Sequence, residues 1–500
     1  MNLAAAFLGW SAGLILVAPA LATTANQTAR SPASPPGFWA WAPRPPMGWN
    51  SQDCFGTTGT EAQVQAQTDV MAAQLKSYGW EYIVVDFQWY KPQAHEHDSR
   101  EGAELTMDEW GRLWPATNRF PSSVNGAGFK PLADYIHAKG LKFGLHLMRG
   151  IPRQAVHRNT PVKGTPYHAR DIANTNSLCP WNPDMYDVNP THPAAQAWYD
   201  SVFELLARWG VDYVRVDDIS LTYPDHEGEL ELIRRAIDRC GRPMVLGVSP
   251  GETPRSAGDH VLRHANLWRI SDDFRDHWPA LWEQFERLHQ WTPFRGPGHW
   301  PDAGMLPLGV LDLGRRSTRF TRDEQLTLMT LWCIARSPLM FGGDLTRLDA
   351  WTLSLLTHRE VLTVNQCSTG NRQLFRNGDC IAWVAEDPTT ADRYVALFYA
   401  PPPARPAPDQ AVWQSPLISR QTPGQAVAVD VPLPGARHLF LVVTDGDDGI
   451  EGDHANWVEP RLVTETGELP LVQLNWREAR TGWGQIGLGR GASGGPMRVA

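Results

Sequence analysis

The sequence has few of the features that mark a metal-binding, nucleic-acid-binding or membrane protein. Its six cysteines include no Cys-x-x-Cys pair, which argues against a structural zinc site. It has no basic stripe and a net charge of −9, which argues against nucleic acid as a partner. Beyond the N-terminal region, no apolar run is long enough to span a bilayer. We therefore expect a globular protein with no cofactor and no metal, and the sequence leaves its oligomeric state open.

The N-terminus nevertheless indicates export. An apolar run over residues 3–18 is followed by Ala20, Leu21 and Ala22, a small-x-small cleavage pattern. The region before the run lacks Lys and Arg, so an N-terminal membrane anchor is the alternative, although the run is short for a spanning helix. We predict a signal peptide at 1–22, a flexible Thr-, Ser- and Pro-rich lead-in at 23–36, and a mature protein in the periplasm or outside the cell.

Disulfide bonds are permitted in an exported protein. Cys367 and Cys380 flank a short turn-rich segment and could form one. Cys333 lies inside an apolar run, which predicts a buried free thiol.

Short apolar runs alternate with helical patterns from about residue 46, which indicates a parallel sheet. About eight such units over about 300 residues predict a (β/α)8 TIM barrel, here placed at 37–360. After about residue 360 the helical periodicity gives way to short β-rich runs. We therefore predict a C-terminal antiparallel β region at 361–500.

Polar residues recur at the ends of the predicted strands, where this fold places chemistry. Two of these ends carry carboxylates, in the segments 213–218 and 268–273, and alternation places Arg215 and Asp217 on one side of their strand. A pair of carboxylates on two strands is the minimal machinery for breaking a glycosidic bond. The alternative for any one segment is an ordinary acid facing water. The 23 tryptophans fit sugar stacking as well as core packing.

Assembled in order, these segments resemble glycoside hydrolase family 27, the α-galactosidase or melibiase family. The resemblance covers roughly Pro45 to Gln366. It rests on ordered motifs at 45–51, 79–86, 139–144, 209–217, 269–273, 296–302 and 337–340.

The resemblance implies a retaining mechanism in which Asp217 is the nucleophile and Asp273 the acid/base. Asp218 and Asp272 are the competing assignments, because each motif is a doublet. Arg215 should keep Asp217 ionised, and the pocket of Asp273 should raise its pKa. The residues assigned to substrate binding are Trp49, Asp86, His146, Arg215, Ser249, Arg269 and Asp302. Trp49 could instead fill the barrel, His146 could be a core histidine, and Asp302 could hold neighbouring backbone.

The departures from the family pattern concern the sugar pocket. Asp86 is followed by Phe87, where galactose-specific relatives have a second aspartate. Arg215 and His146 replace a lysine and a tyrosine of the family. We expect an enzyme that releases a terminal α-linked galactose or a closely related sugar. The alternatives are another glycone (a β-L-arabinopyranoside, an α-N-acetylgalactosaminide or an isomaltoside) or a non-catalytic carbohydrate-binding protein, against which the presence of both carboxylates argues.

The region 433–500 resembles part of a carbohydrate-binding module often fused to such hydrolases. Its alternative is a packing domain without a ligand.

Overall fold

The computed structural model of the chain describes residues 35–97, 102–179, 181–404, 411–419, 421–436, 438–444, 455–465 and 467–474. The predicted signal peptide lies outside these residues, as does the predicted lead-in apart from Pro35 and Pro36. Across the described ranges, no helix combines the length and the apolar composition needed to cross a membrane.

Eight parallel strands form one sheet whose order follows the chain. They are β1 (Met47–Asn50), β2 (Tyr82–Val85), β3 (Lys142–Met148), β4 (Tyr213–Asp217), β5 (Val245–Val248), β6 (Leu267–Arg269), β7 (Trp300–Asp302) and β8 (Leu339–Phe341). Neighbours pair in parallel from β1 through β7, and β8 pairs with β1. Between β7 and β8 the link runs through Leu306, whose N–H donates to the carbonyl of Met340 at 2.7 Å and whose carbonyl accepts from Gly342 at 3.0 Å. The predicted barrel is confirmed.

Helices surround the strands. They are α1 (Gln52–Phe55), α2 (Glu61–Val70), α3 (Lys130–Ala138), α4 (Arg153–Arg158), α5 (Ala169–Ile172), α6 (Ala195–Trp209), α7 (Tyr223–Arg239), α8 (Gly258–His264), α9 (Trp278–Trp291), α10 (Arg322–Ala335), α11 (Ala350–Leu356) and α12 (Arg359–Cys367). Their ends follow local sequence signals. A capping box of Thr321 and Glu324 begins α10, and Gly210 ends α6 at φ 85°, a conformation that glycine adopts without strain.

The inside of the barrel is filled by side chains of alternate strand residues. A compact buried cluster there includes Tyr82, Val84, Tyr213, Val245, Leu267, Trp300 and Met340. Gly144 makes room for it, because a Cβ at this position would lie 2.7 Å from Val84 and 3.0 Å from Tyr213. The next inward positions toward the carboxyl ends are polar, so the apolar cluster supports a polar site at that end.

The C-terminal sheet consists of three antiparallel strands, β9 (Thr369–Asn377), β10 (Cys380–Glu386) and β11 (Arg393–Tyr399). It packs on α9, where the indoles of Trp278 and Trp282 donate to the carbonyls of Pro401 and Ala400. A C-terminal antiparallel β region is confirmed. It begins at Thr369, later than the predicted position 361, because α12 continues to Cys367, and residues 475–500 lie outside the described residues. The remaining strands form small antiparallel sheets at Ile151–Pro152, Ala173–Leu178 and Met185–Val188, at Val310–Leu311 and Arg316–Ser317, and at Arg461–Thr464 and Gly467–Pro470.

The predicted disulfide between Cys367 and Cys380 is wrong, because the two residues lie at opposite ends of a hairpin. Thr369 is in register with Glu386, and Asn377 with Cys380. Cys367 therefore lies near Glu386, about 20 Å along the strand from Cys380, whereas a disulfide needs Cα atoms within about 7 Å. All six cysteines, each of which the structure describes, are free thiols. Cys333 is buried, as predicted.

Candidate active site

Asp217 is the last residue of β4 and is buried among polar groups. Its Oδ2 lies 2.9 Å from Nε2 of His146 on the neighbouring strand. Its Oδ1 lies 3.3 Å from Nε of Arg215 and accepts a hydrogen bond from the hydroxyl of Ser249. Ser249 in turn accepts from Nε of Arg215 at 2.7 Å. His146 on β3, Arg215 on β4 and Ser249, the residue after β5, thus each supply one partner to this carboxylate.

The charge of Asp217 follows from these contacts. Burial alone would raise its pKa, but the charge of Arg215 and the interactions with His146 and Ser249 outweigh burial and hold the pKa well below its ordinary value. The predicted role of Arg215 agrees with this geometry. The carboxylate is therefore ionised and oriented, as attack on a sugar carbon requires.

Asp273 follows β6 and is more open, with 39% of its side chain exposed. Three guanidinium groups surround its carboxylate: Arg269 at 3.4 Å, Arg275 at 3.6 Å and Arg215 at 3.8 Å. Burial would raise the pKa of Asp273, but the charges of Arg269, Arg275 and Arg215 lower it below its ordinary value. The expectation of a raised pKa is therefore wrong, because these arginines favour the ionised form.

Arg215 connects the groups of the site. Besides Asp217 and Asp273, its guanidinium lies 3.5 Å from Oδ2 of Asp86. Asp86 also accepts from Nδ2 of Asn50 at 2.6 Å and from the backbone N–H of Phe87 at 2.9 Å. One guanidinium thus joins three carboxylates from β4 and from the ends of β2 and β6.

The remaining predicted residues differ in their placement. Arg269 reaches Asp302 at 3.3 Å as well as Asp273, so both lie at this edge of the site. The structure does not bring Trp49 into the network: it is in register with Ile83 and Phe341 on the outward strand faces, and its indole donates to the carbonyl of Gly343. Its fully buried ring belongs to the core between sheet and helices.

The two aspartates of each doublet lie in different surroundings. Asp218, at φ 67°, turns away from the site, and its carboxylate accepts from Nη2 of Arg149 at 2.6 Å. Asp272 is exposed to solvent. Within the two doublets, Asp217 and Asp273 contact Arg215 and their neighbours do not, which supports their assignment over Asp218 and Asp272.

Sequence reasoning missed several residues of the site. Asn50 could have been found, since alternation places it inward next to Trp49. Arg275 and Asp53 gave no signal, because Arg275 enters from the loop after β6 and Asp53 from the short helix α1. Burial raises the pKa of Asp53 to about 6; the charge of Arg275 opposes this rise, and the charge of Asp273 adds to it.

The ring of Phe87 forms an apolar wall beside the carboxylates. The ring of Phe87 is buried, 5.8 Å from the ring of His146 and 6.3 Å from that of Trp181. The wall presents carbon where the family pattern has a carboxylate.

Among the residues that the structure describes, two groups of side chains have the composition of a metal site: Asp187, His226 and Glu229, and separately Glu231, His260 and His264. Neither group includes Asp217 or Asp273. In the first group, Arg149 already pairs with Asp187 and Glu229.

Two family models match this chain. Residues 184–367 match the family model described as Alpha galactosidase A, and residues 407–463 match the NPCBM/NEW2 domain. The second match overlaps the region predicted to resemble a carbohydrate-binding module.

Curated relatives and solved structures extend the similarity. Alpha-galactosidase 2 of Arabidopsis thaliana is 26% identical over 71% of this chain and 75% of its own length. Alpha-N-acetylgalactosaminidase of Gallus gallus is 26% identical over 67% of this chain and 74% of its own length. The crystal structure of a GH27 β-L-arabinopyranosidase from Geobacillus stearothermophilus is 54% identical, with a TM-score of 0.71, over 72% of this chain and 85% of that chain. Identity at that level over most of both chains, together with the carboxylate pair, places this chain in glycoside hydrolase family 27.

Proposed function

We propose that this chain is an exported, retaining glycosidase that releases terminal β-L-arabinopyranosyl groups. Release of α-D-galactosyl groups is the second candidate. The two sugars share the configuration of their ring carbons, and the arabinopyranose lacks only the exocyclic hydroxymethyl group. The proposal therefore concerns which substituent the pocket accepts.

The observation that carries the choice of sugar is Phe87. In galactose-specific members of the family, the position that corresponds to Phe87 holds a second carboxylate, which accepts a hydrogen bond from a sugar hydroxyl. Phe87 offers no acceptor, and its ring packs toward His146, a direct neighbour of Asp217. A sugar without the hydroxymethyl group leaves no hydroxyl unpaired against this apolar wall.

The relatives are named for three different sugars. One 54% identical enzyme is named for β-L-arabinopyranosides, and a second solved structure at 54% identity, from Bacillus halodurans, is named for α-N-acetylgalactosaminides. Curated relatives at 26–28% identity are mostly named for α-galactosides. Identity alone therefore does not choose the sugar, and the apolar wall favours the arabinopyranoside because the other two sugars keep the hydroxymethyl group.

The proposed chemistry assigns one role to each carboxylate. Asp217, ionised and held by Arg215, His146 and Ser249, attacks the anomeric carbon and forms a glycosyl ester. Asp273 acts from its protonated form, which the surrounding arginines disfavour in the free enzyme. In that form it protonates the departing oxygen, and it then takes a proton from the water that hydrolyses the ester. Their common contact with Arg215 is consistent with the close spacing, about 5–5.5 Å, of a retaining pair.

The proposal of export rests on the N-terminal sequence. The apolar run and the small-x-small site at residues 20–22 supply the signal. Edman sequencing of the protein secreted by an expression host should begin at Thr23. Retention of residues 1–22 in a membrane fraction would instead support the anchor.

A panel of p-nitrophenyl glycosides tests the choice of sugar. It comprises β-L-arabinopyranoside, α-D-galactoside, α-N-acetylgalactosaminide and α-glucoside. We expect the highest kcat/KM on the arabinopyranoside, with product NMR showing the β anomer first. If the α-galactoside is the better substrate, the proposed choice of sugar is wrong.

The variant Phe87→Asp tests the residue itself. A carboxylate hydrogen bond to a sugar hydroxyl contributes about 1.5–3 kcal/mol, so the ratio of galactoside to arabinopyranoside kcat/KM should rise by about 10- to 100-fold. Phe375→Asp, at a half-exposed phenylalanine of β9, is the matched control and should leave the ratio unchanged. An unchanged ratio in Phe87→Asp would remove Phe87 from the argument.

A further inference from the structure

A cluster of metal-ligating side chains lies on the outer helices, apart from the carboxylate pair. Glu231 belongs to α7, and His260 and His264 are one turn apart on α8. One potential ligand atom from each residue lies within 4.8 Å of the others. We propose that Glu231, His260 and His264 bind one divalent transition-metal ion, such as Zn²⁺, that joins α7 to α8.

The hydrogen bonds of the two imidazoles leave each of them able to offer a nitrogen. Nδ1 of His264 lies 2.8 Å from the carbonyl oxygen of His260, so Nδ1 carries the proton and Nε2 keeps its lone pair. Nδ1 of His260 lies 2.8 Å from the hydroxyl of Tyr223. A histidine ligand usually donates its second N–H to such a partner, which fixes the ring orientation and the tautomer.

The protonation states suit metal binding. Burial lowers the pKa of His264, so its imidazole is neutral at neutral pH. Burial would raise the pKa of Glu231, but its hydrogen bonds with His260 and Arg235 lower it, so the carboxylate is ionised. An ion at this place requires the proton of His260 to lie on Nδ1, toward the hydroxyl of Tyr223, and not on Nε2, toward Glu231. Neutral imidazole and ionised carboxylate are the forms that metal ions bind.

The side chains of Glu231, His260 and His264 need to move only slightly to bind one ion together. Nε2 of His260 lies 3.4 Å from Oε1 of Glu231, close to the separation of about 3.3 Å between ligands around a tetrahedral Zn²⁺. The two imidazole rings lie 4.2 Å apart, centroid to centroid. Arg235, 3.3 Å from the other oxygen of Glu231, is the competing cation, and its side chain is 45% exposed and can turn away.

The position of the cluster predicts a structural rather than a catalytic ion. His264 precedes β6, whereas Asp273 follows that strand, so the two residues lie toward opposite ends of it. Two histidines and one glutamate leave a fourth position for water, as in catalytic zinc sites, so the structural role rests on the separation of the cluster from Asp273 and not on the ligand set. We expect the ion to stabilise the packing of α7 on α8 and to leave glycoside hydrolysis unchanged.

The test uses the untagged full-length protein after treatment with a chelator and gel filtration. Titration with Co²⁺ should give the visible absorption bands of a four-coordinate ion, and calorimetry with Zn²⁺ should give one site. A Zn²⁺ concentration 100-fold above Kd should favour the folded over the unfolded state by a factor of about 100 and raise the Tm.

Variants identify the ligands. His264→Gln and Glu231→Gln should each weaken binding by at least about tenfold and abolish the Zn²⁺-dependent rise in Tm. The matched control is His289→Gln, at an exposed histidine of α9. Unchanged activity on an aryl glycoside in His264→Gln shows that the variant is folded.

Three results would overturn the proposal. One is the absence of saturable binding to the wild-type protein. The second is unchanged binding in His264→Gln. The third is loss of binding in His226→Gln with retention in His264→Gln, which would place the ion in the buried cluster with Asp187 and Glu229.

Discussion

Nε of Arg215 lies 3.3 Å from Oδ1 of Asp217, two residues further along β4. Strand alternation points both side chains into the same end of the barrel. The folded-state pKa of Asp217 is lowered, so its ionisation stabilises the fold above the unfolded-state value near 3.8. This contribution is lost as the pH falls through the lower folded-state pKa. The pairing thus supports both the fold and a nucleophile that stays ionised in acid.

The first prediction concerns Asp217→Gly. Without a nucleophile, kcat on aryl glycosides should fall by at least about 10³-fold, because no glycosyl ester can form. Azide fits the space left by the side chain and should restore part of the rate, giving a glycosyl azide of inverted configuration by NMR. Asp272→Gly, at the exposed aspartate, is the control and should retain activity. Near-normal turnover of Asp217→Gly without azide would refute the assignment.

The second prediction concerns Asp273→Ala. An acid catalyst matters most when the leaving group is a poor one. The variant should therefore lose far more activity on natural disaccharides and alkyl glycosides than on dinitrophenyl glycosides. Steady-state kinetics over a series of leaving-group pKa values measures this slope, with Asp272→Ala as the control. Equal losses across the series would exclude Asp273 as the acid.

Alternation and order along the chain explain how much of the site the sequence could predict. Arg215 and Asp217 share a face because they are two residues apart on a strand, and Ser249 joins them from the next strand. These relations are local or follow from strand order. Strand alternation also argues against Trp49 as a residue of the site. It points the next residue, Asn50, into the site, where its side-chain amide donates a hydrogen bond to Asp86.

What could not be predicted depends on contacts between distant segments. The pKa of Asp273 is lowered partly by Arg275, whose position is set by a loop. The separation of Cys367 from Cys380 depends on the register of β9 and β10, which no local signal indicates.

The third prediction concerns Arg275, which is 66% exposed and 3.6 Å from Oδ2 of Asp273. Removing its positive charge in Arg275→Gln should raise the pKa of Asp273, so the protonated acid persists to higher pH. The basic limb of the kcat/KM profile should then move upward, by less than about one pH unit because solvent screens the exposed charge. Arg287→Gln on α9 is the control. A shift to lower pH would contradict the role of Asp273 as the acid.

A buried ionic network lies behind the nucleophile. Arg149 contacts the carboxylates of Asp187, Asp218 and Glu229, and its backbone N–H donates to the carbonyl of Asp217 at 3.2 Å. Burial raises the pKa of Glu229 to about 7, although Arg149 and a hydrogen bond from Tyr199 oppose the rise. Burial lowers the pKa of His226 in the same network to about 4.

The last prediction concerns the pH dependence of stability through Glu229. Between pH 4.5, its unfolded-state pKa, and about 7, the folded protein holds a proton that the unfolded chain has lost. Stability contributed by this group therefore falls as the pH rises through that window and is constant above it. His226 has the opposite effect between about pH 4 and 6.5, so the wild-type curve alone does not isolate Glu229. The difference in Tm between Glu229→Gln and the wild type isolates the contribution of Glu229. The Tm of the variant relative to that of the wild type should rise from pH 5 to pH 8. Glu204→Gln, at a half-exposed glutamate of α6, should show no such trend, and a constant difference for Glu229→Gln would show that Glu229 does not titrate in this range.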